Sequence, residues 1–301
     1  MDPTDSAAAP IVRAPALLEA MRPRQWSKNV FVFAGIVFAG RLFDLRSGLR
    51  VVAVFAVFCA ASSSAYLVND IADRLSDSHH PLKRLRAIAS GRLSPAAAGI
   101  ASAVLGLVAI AAAALLNNAT LLLVLAYLLS TLAYSLRLKR VFLLDVMIVA
   151  AGFVLRAVAG AAVIAAEISP WLLVCSFLLA LFLALGKRRA ELVLLGEEAR
   201  SHRPALGHYS LPLVESWLTA LTGATIVSYA IYTQSSRTVE HFGTTRLLYT
   251  VPFVIYALFR YQHLVIREEA GGDPGSVLMQ DRGLWLALIG WAVTAAAVIY
   301  R

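Results

Sequence analysis

The sequence is poor in charge and in cysteine, and both shortages exclude whole classes of protein. Only 15% of its 301 residues are charged, whereas 59% are hydrophobic. A soluble domain of this length needs a charged surface, which this composition does not supply. The two cysteines, Cys59 and Cys175, lie inside apolar runs. They are interpreted as small buried hydrophobes, which excludes a disulfide framework and a thiolate metal site.

What the sequence has instead is a series of long apolar segments. A helix needs roughly 17–25 apolar residues to cross about 30 Å of hydrocarbon. Segments of that kind predict about nine spans. They lie at 28–44, 50–69, 96–116, 119–136, 141–163, 170–187, 212–234, 246–261 and 284–300. We therefore expect an all-α integral membrane protein.

The net charge of +9 would suggest a nucleic-acid partner in a soluble protein, but the positions of the basic residues explain it better. Most of the 27 Lys and Arg residues fall in the N-terminal tail and in the loops that share its side. Cytoplasmic loops carry an excess of Lys and Arg. The pattern thus predicts a multi-pass membrane protein with a cytoplasmic N-terminus. Residues 1–20 are expected to form a disordered cytoplasmic tail, and residues 21–301 a single transmembrane catalytic domain.

Carboxylates crowd the predicted inner end of the second span. Asn69, Asp73 and Asp77 are spaced four residues apart, and Asp70 stands three residues before Asp73. On a helix that continues out of the membrane, these side chains would project from one face. Stacked carboxylates repel one another unless a cation is bound, and oxygen ligands suit a Mg²⁺ that shares its shell with substrate phosphates. The alternative is a solvated helix end with ordinary juxtamembrane charges.

Three basic segments follow on the same side of the membrane. They are Lys83, Arg84 and Arg86 after His80-Pro81, Lys139-Arg140 after Tyr134, and Lys187-Arg188-Arg189 before Glu191. Arg and Lys beside a Mg²⁺ site are what a diphosphate needs, because the metal alone cannot neutralise it. Taken alone, the segment from Tyr134 to Arg140 could equally be a positively charged stop after a spanning helix.

The pattern Asn69-Asp70-x-x-Asp73-x-x-x-Asp77, with His80-Pro81 and the basic residues after it, resembles the first signature of the UbiA superfamily of membrane prenyltransferases. The resemblance implies an enzyme of the plasma (bacterial inner) membrane, with its helices bundled around a central cavity that opens to the cytoplasm. It also implies that the Asp-rich motif holds Mg²⁺ and a diphosphate. It implies that Asn69, Asp70, Asp73 and Asp77 bind the metal, and that Asp73 and Asp77 are catalytic. The segment from Tyr134 is similar to the superfamily's Tyr-x-x-x-Lys-Arg element, with one extra residue.

The chain departs from the superfamily's pattern after the sixth span. Aromatic prenyltransferases of the superfamily usually carry a second motif there, Asp-x-x-x-Asp, whereas this chain has Lys187-Arg188-Arg189-Ala190-Glu191. The exchange of carboxylates for cations favours a substrate that carries more negative charge than a diphosphate alone.

That segment resembles the decaprenyl-phosphate phosphoribosyltransferase branch of the superfamily. So do the opening Met21–Asn29 and the late Gly272-Asp273-Pro274 with Asp281-Arg282. The resemblance implies transfer of 5-phosphoribose from phosphoribosyl diphosphate to a polyprenyl phosphate of the membrane, with Mg²⁺ as cofactor. The substrate-binding residues expected on this basis are Lys28, Lys83, Arg84, Tyr134, Lys139, Arg140, Lys187, Arg188 and Glu191.

Two other functions would each predict a different sequence pattern. A UbiA-type prenyltransferase would move a prenyl group from a prenyl diphosphate to an aromatic or other small acceptor, and it would have Asp-x-x-x-Asp near 187–191. A transporter would place ionisable residues in the middle of several spans, or show a repeated half. Only Arg156 lies near the middle of a predicted span, and we expect it to line a polar cavity.

Overall fold

The computed structural model describes residues 14–196, 204–267, 277 and 280–300. All regular secondary structure in these residues is helical. The α-helices are α1 Ala14–Met21, α2 Ala34–Phe38, α3 Leu45–Ala72, α4 Arg74–His79, α5 Pro95–Leu116, α6 Asn118–Leu136, α7 Leu144–Ala162, α8 Pro170–Leu195, α9 Leu211–Gln234, α10 Ser236–Phe242, α11 Val251–Arg267 and α12 Arg282–Ile299. A 3-10 helix, Pro23–Phe33, connects α1 to α2.

Many of the long helices have a polar N-cap residue, which lies at the end of an apolar run. Each accepts a hydrogen bond from a backbone N–H group of the first turn, and the residues concerned are Asp44, Ser94, Asn117, Ser210 and Asp281. The first N–H groups of a helix have no partner within the helix. An unsatisfied N–H group near the bilayer is costly, so these caps define where each helix starts.

The membrane-spanning helices agree with most of the predicted spans. Within the described residues, seven helices are long and apolar enough to cross a membrane: α3, α5, α6, α7, α8, α9 and α12. An eighth is reached if α10 and residues 246–267, which meet at a bend of 100°, count as one span. The protein is therefore a multi-pass membrane protein, and the count of nine stays a prediction.

The first predicted span, 28–44, is the one whose structure differs most from expectation. It consists of the 11-residue 3-10 helix followed by the short α2. A 3-10 helix rises about 2.0 Å per residue, against about 1.5 Å for an α-helix, so it reaches further with fewer residues. Arg22 before it contacts Asp70 at one end of the bundle, whereas Arg41 after it donates to the Ile164 carbonyl at the other.

The expectation of a disordered tail over residues 1–20 is wrong for residues 14–20, which belong to α1. Ala16 and Ala20 are buried in a small apolar cluster with Leu67 of α3. Glu19 also forms an ion pair with Arg92, 2.6 Å between Oε2 and Nη1. Helix α1 is short and amphipathic, and a small apolar face is enough to pack it on α3. Residues 1–13 lie outside the described residues.

The 3-10 segment packs directly on the backbone of α7 at two glycines. A Cβ atom added at Gly160 would lie 1.8 Å from the Val32 carbonyl oxygen, and one added at Gly35 would lie 2.6 Å from the Ala161 nitrogen. Only glycine allows this approach of two backbones. The contact holds the polar side chains of the 3-10 segment against those of α7.

We therefore expect Gly160→Ala to destabilise the fold, because the new methyl group would meet a backbone oxygen that cannot turn away. The loss should reach or exceed the upper end of the usual overpacking range, about 1–3 kcal/mol. Gly99→Ala is the matched control, since Gly99 lies within α5 and has nothing within 4 Å of its added Cβ. Thermal unfolding of the purified variants in detergent measures both, and equal melting temperatures for the two would contradict the close contact.

Candidate active site

The acidic motif lies where α3 leaves the apolar core. Helix α3 ends at Ala72 and α4 resumes at Arg74, yet backbone bonds bridge the break. The N–H of Asp73 donates to the Asn69 carbonyl at 2.9 Å, and that of Asp77 donates to the Asp73 carbonyl at 2.8 Å. The expected continuation of the helix is confirmed, with one interruption at Asp73.

The four motif side chains divide into two pairs, and each pair shares one cation. The Lys139 ammonium lies 3.2 Å from Asn69 Oδ1 and 2.5 Å from Asp73 Oδ1. The Arg86 guanidinium lies 3.2 Å from Asp70 Oδ1 and 2.6 Å from Asp77 Oδ2. The motif therefore presents two adjacent rows of oxygen atoms instead of the single row expected from the spacing.

A third cation completes the cluster. Arg22 Nη2 lies 2.5 Å from Asp70 Oδ1, and its guanidinium also stacks 4.9 Å from the centre of the Tyr66 ring. Arg22 has a left-handed backbone, with φ 55°. Such a conformation costs about 1–3 kcal/mol for a residue other than glycine and persists only where the surroundings enforce it. Here the ion pair with a buried aspartate is part of those surroundings.

The cluster is electrically balanced and largely enclosed. Asp70 and Asp77 are 3% and 4% exposed, and Lys139 is 6% exposed. Buried charges of this kind need partners, and the three carboxylates face three cations. Burial raises the pKa of the Asp77 carboxyl above its ordinary value, while the nearby Arg86 and Lys83 oppose that rise.

Only some of the basic residues predicted from the sequence contact the acidic motif. Lys139 was predicted and lies in the cluster, but its neighbour Arg140 is exposed, as is Arg84. Neither contacts a carboxylate of the described residues through its side chain. Arg22 and Arg86, which do, were not among the predicted site residues. Both residues lie inside sequence motifs that resemble those of the superfamily, which could have pointed to them. The sequence does not show, however, which way each side chain faces.

His80 and Pro81 explain how Arg86 returns to the motif. The buried His80 ring accepts hydrogen bonds at Nδ1 from the N–H groups of Leu82 and Lys83, at 3.2 and 3.3 Å. These bonds shape a tight turn directly after α4. The chain then doubles back, which brings Arg86 beside Asp77.

A second buried cluster lies where α7 begins and α8 ends. Arg188 Nε lies 2.7 Å from Asp145 Oδ2, and Arg188 also pairs with Glu191. The Tyr209 hydroxyl donates to Asp145 Oδ1 at 2.6 Å and accepts from the N–H of Leu143, whose φ is 66°. This network fixes the turn between α6 and α7, on which Lys139 is carried.

In the basic triplet Lys187-Arg188-Arg189, the two arginines contact carboxylates of the protein itself. Arg188 already has two carboxylate partners, and Arg189 pairs with Glu215 at 2.7 Å while donating to the carbonyls of Val265 and Ile266. These contacts hold α8 to its neighbours. Lys187, Lys28 and Tyr134 are half-buried, and Tyr134 lies near enough to Arg188 to interact with it electrostatically.

The oxygen atoms of the acidic motif suit a hard divalent cation. Asn69 and Asp73 already direct oxygens at one positive charge, the Lys139 ammonium. No three Asp, Glu, His or Cys side chains in the described ranges converge into a complete metal shell. A metal held here would take further ligands from Asn69, from water or from a substrate phosphate, which is the usual arrangement for Mg²⁺.

Fold and site together define a helical, multi-pass membrane protein with a cation-bridged acidic centre at one end of its bundle. Residues 29–280 match the UbiA prenyltransferase family, which covers well over half of the chain. The chain belongs to that family and is an enzyme of it.

Two relatives resemble the chain over nearly all of its length. It is 33% identical to the decaprenyl-phosphate phosphoribosyltransferase of Corynebacterium glutamicum, over 95% of this chain and 87% of the relative. It is 32% identical to the enzyme of the same name from Mycolicibacterium smegmatis, over 94% and 92%. Among solved structures, a UbiA homologue from Archaeoglobus fulgidus bound to GPP and Mg²⁺ shares the fold, with a TM-score of 0.69, 19% identity and coverage of 95% and 100%.

The pairing of Arg188 leads to a prediction about stability. Arg188→Met should destabilise the protein, because removing one member of a buried ion pair costs about 3–5 kcal/mol. Adding Asp145→Asn should restore part of the loss, since one uncompensated charge is then removed. Arg84→Met, at an exposed position, is the control. If Arg188→Met unfolds at the wild-type temperature in detergent, the network is not structural.

Proposed function

We propose that the protein transfers 5-phosphoribose from phosphoribosyl diphosphate to a polyprenyl phosphate, releasing diphosphate. The observation that carries the proposal is the cluster in which Asp70, Asp73 and Asp77 lie within reach of three cations. Such a centre offers ligands for a metal and donors for a diphosphate in the same place. The two similar phosphoribosyltransferases support the choice of donor and acceptor.

In this proposal, Asn69, Asp70, Asp73 and Asp77 hold Mg²⁺, which when bound neutralises charge on the departing diphosphate. Arg22, Arg86 and Lys139 now face the same carboxylates, so they lie within reach of a diphosphate that binds there. A metal alone would have to displace these cations and leave them unpaired. A metal that arrives with a diphosphate gives each displaced cation a new anionic partner. Metal and diphosphate are therefore expected to bind cooperatively.

The chemical step needs no dedicated general base. The bond between C1 of the ribose and the diphosphate oxygen breaks, and the diphosphate leaves with the electron pair. An oxygen of the lipid phosphate forms the new bond to C1. A phosphate monoester has its second pKa near 6, so this nucleophile is already anionic at about pH 7. The chain's part is to hold the two substrates in line and to stabilise the leaving group.

The proposal places this chemistry at the cytoplasmic face of the bacterial plasma membrane, with the N-terminus inside. The side on which most Lys and Arg residues lie supports that orientation. Phosphoribosyl diphosphate does not cross a membrane. Inverted vesicles supplied with it from outside should therefore make product, whereas right-side-out vesicles should not.

The direct test incubates purified protein with Mg²⁺, labelled phosphoribosyl diphosphate and polyprenyl phosphate. Labelled lipid and free diphosphate should form one for one, and chelation of the metal should stop both. Asp73→Ala and Asp77→Ala should each lose nearly all turnover per folded molecule. Lys139→Gln should lose most of it, whereas the matched variant Arg140→Gln should keep it, because only Lys139 reaches the acidic motif.

One other activity is favoured by a specific observation, namely the solved UbiA homologue bound to GPP and Mg²⁺. An enzyme of that kind would use a prenyl diphosphate and a small acceptor. Wild-type protein that consumes prenyl diphosphates and ignores phosphoribosyl diphosphate would replace the proposed function with this one.

A further inference from the structure

Arg156 is a buried cation whose surroundings are set by several elements at once. It lies in α7 and is only 6% exposed. Its Nε donates to Asn29 Oδ1 at 2.7 Å, and its Nη2 donates to the Tyr127 hydroxyl at 2.9 Å. Asn29 is held in turn by Ser62 Oγ of α3 at 3.3 Å. The guanidinium is therefore oriented by the 3-10 segment, α3 and α6.

Aromatic rings enclose the same guanidinium. Its carbon lies 4.7 Å from the centre of the Tyr127 ring, 5.2 Å from that of Phe153 and 6.0 Å from that of Phe58. These contacts offset part of the cost of an arginine inside a membrane, which is roughly 2.5–3.5 kcal/mol on insertion scales. They keep water away without supplying negative charge.

Arg156 differs from the other buried cations of the described chain in having no carboxylate. Lys139, Arg188 and Arg189 are each paired with an aspartate or a glutamate. Within the described ranges, Arg156 makes no ion pair, and its two hydrogen-bond acceptors are neutral. A desolvated charge without a counter-charge is unfavourable, so the protein carries a cost here that packing alone does not require.

One end of the guanidinium is still available as a donor. Nη1 gives no hydrogen bond to any described residue, and protein atoms do not fully enclose it. Gly152, one turn earlier on α7, leaves room for it, since a Cβ there would lie 3.3 Å from Nη1. The free N–H pair lies over the side of the helix that leads back toward Asp145.

The position relative to the acidic motif follows from α3. Ser62, which holds Asn29, precedes Asn69 by seven residues, or about 10 Å of α-helix. Tyr66 lies between Ser62 and Asn69 on α3, and its ring stacks against Arg22. Arg156 thus lies deeper in the bundle than the carboxylates, and polar side chains connect the two levels.

We propose that Arg156, with Asn29 and Tyr127, is a second anion site that binds a phosphate monoester of a substrate. The inference rests on the proposed function, in which two substrates bring such a group: the C5 phosphate of the donor and the phosphate of the lipid. Arg188 and Arg189 already have carboxylate partners, so Arg156 is the buried arginine of the described ranges that has none. A fixed cation about 10 Å below the metal ligands would select a substrate with a second, separate phosphate.

Equilibrium binding to purified protein tests the site without turnover. The probes are ribose 5-phosphate, inorganic diphosphate with Mg²⁺, polyprenyl phosphate and polyprenol. Arg156→Gln should weaken either ribose 5-phosphate or polyprenyl phosphate by about ten-fold or more, as expected for a lost charge-assisted hydrogen bond. Diphosphate and polyprenol should bind as to wild type. The probe that loses affinity identifies which phosphate the site takes.

Two further variants separate binding from packing. Arg41→Gln removes a guanidinium that bonds the backbone of the turn after α7, at the opposite end of the bundle, and should change no affinity. Tyr127→Phe keeps the ring and removes the hydroxyl that orients Arg156, so it should weaken the same probe by a smaller factor even if Arg156→Gln does not fold.

Unchanged affinity for both phosphate monoesters in Arg156→Gln, or in Tyr127→Phe where only that variant folds, would overturn the proposal and leave Arg156 a packing residue. Weakening of diphosphate alone would overturn it too. Its failure is separable from that of the proposed function. A protein that makes phosphoribosyl lipid but shows no Arg156-dependent binding keeps the function and loses the site. A protein that binds a phosphate monoester through Arg156 but makes no such lipid keeps the site and loses the function.

Discussion

The structure depends on the pairing of the three aspartates at the end of α3 and in α4 with three cations from other parts of the chain. Arg22 precedes the 3-10 segment, Arg86 follows the turn at His80, and Lys139 lies between α6 and α7. Each ion pair ties a different element to the end of α3. Because these groups are largely buried, losing one partner would leave a charge that the interior cannot solvate. The same contacts that hold the inner end of the bundle together thus assemble the candidate site.

Periodicity and charge were enough to predict the helices and the acidic motif, because both depend on near neighbours in sequence. Apolar runs identified the seven long spans. Residue spacing indicated that the motif gathers at the end of α3, although its side chains form two pairs and not the single row expected. The choice among adjacent cations was not predictable in this way. The Lys139 side chain is buried, whereas that of Arg140 is exposed. The two residues lie on one 3-10 turn, and the hydrogen-bond network around Asp145 holds that turn in place. The 3-10 helix of the first span was missed because it depends on backbone contact with α7 at Gly160.

The two buried centres differ in net charge, and the proposed mechanism depends on this difference. The acidic motif is neutral as a whole, so a metal and a diphosphate can replace its internal ion pairs without leaving charge unpaired. Arg156 has no such balance among the described residues, since its two hydrogen-bond acceptors there, Asn29 and Tyr127, are neutral. A substrate with a diphosphate at one end and a phosphate monoester nearby would complement both centres. Arg188, in contrast, is paired with both Asp145 and Glu191, and contact of its segment with substrate stays a prediction.

The most direct measurement is the affinity of the acidic motif for a divalent metal, with and without inorganic diphosphate. Mn²⁺ is a suitable probe, since its binding can be followed by electron paramagnetic resonance. If internal cations must be displaced, wild-type protein should bind Mn²⁺ at least about ten-fold more tightly when diphosphate is present, which corresponds to a coupling free energy near 1.4 kcal/mol. Lys139→Gln should bind Mn²⁺ alone more tightly than wild type, and Arg140→Gln should not. Equal Mn²⁺ affinity with and without diphosphate in wild type would contradict the account.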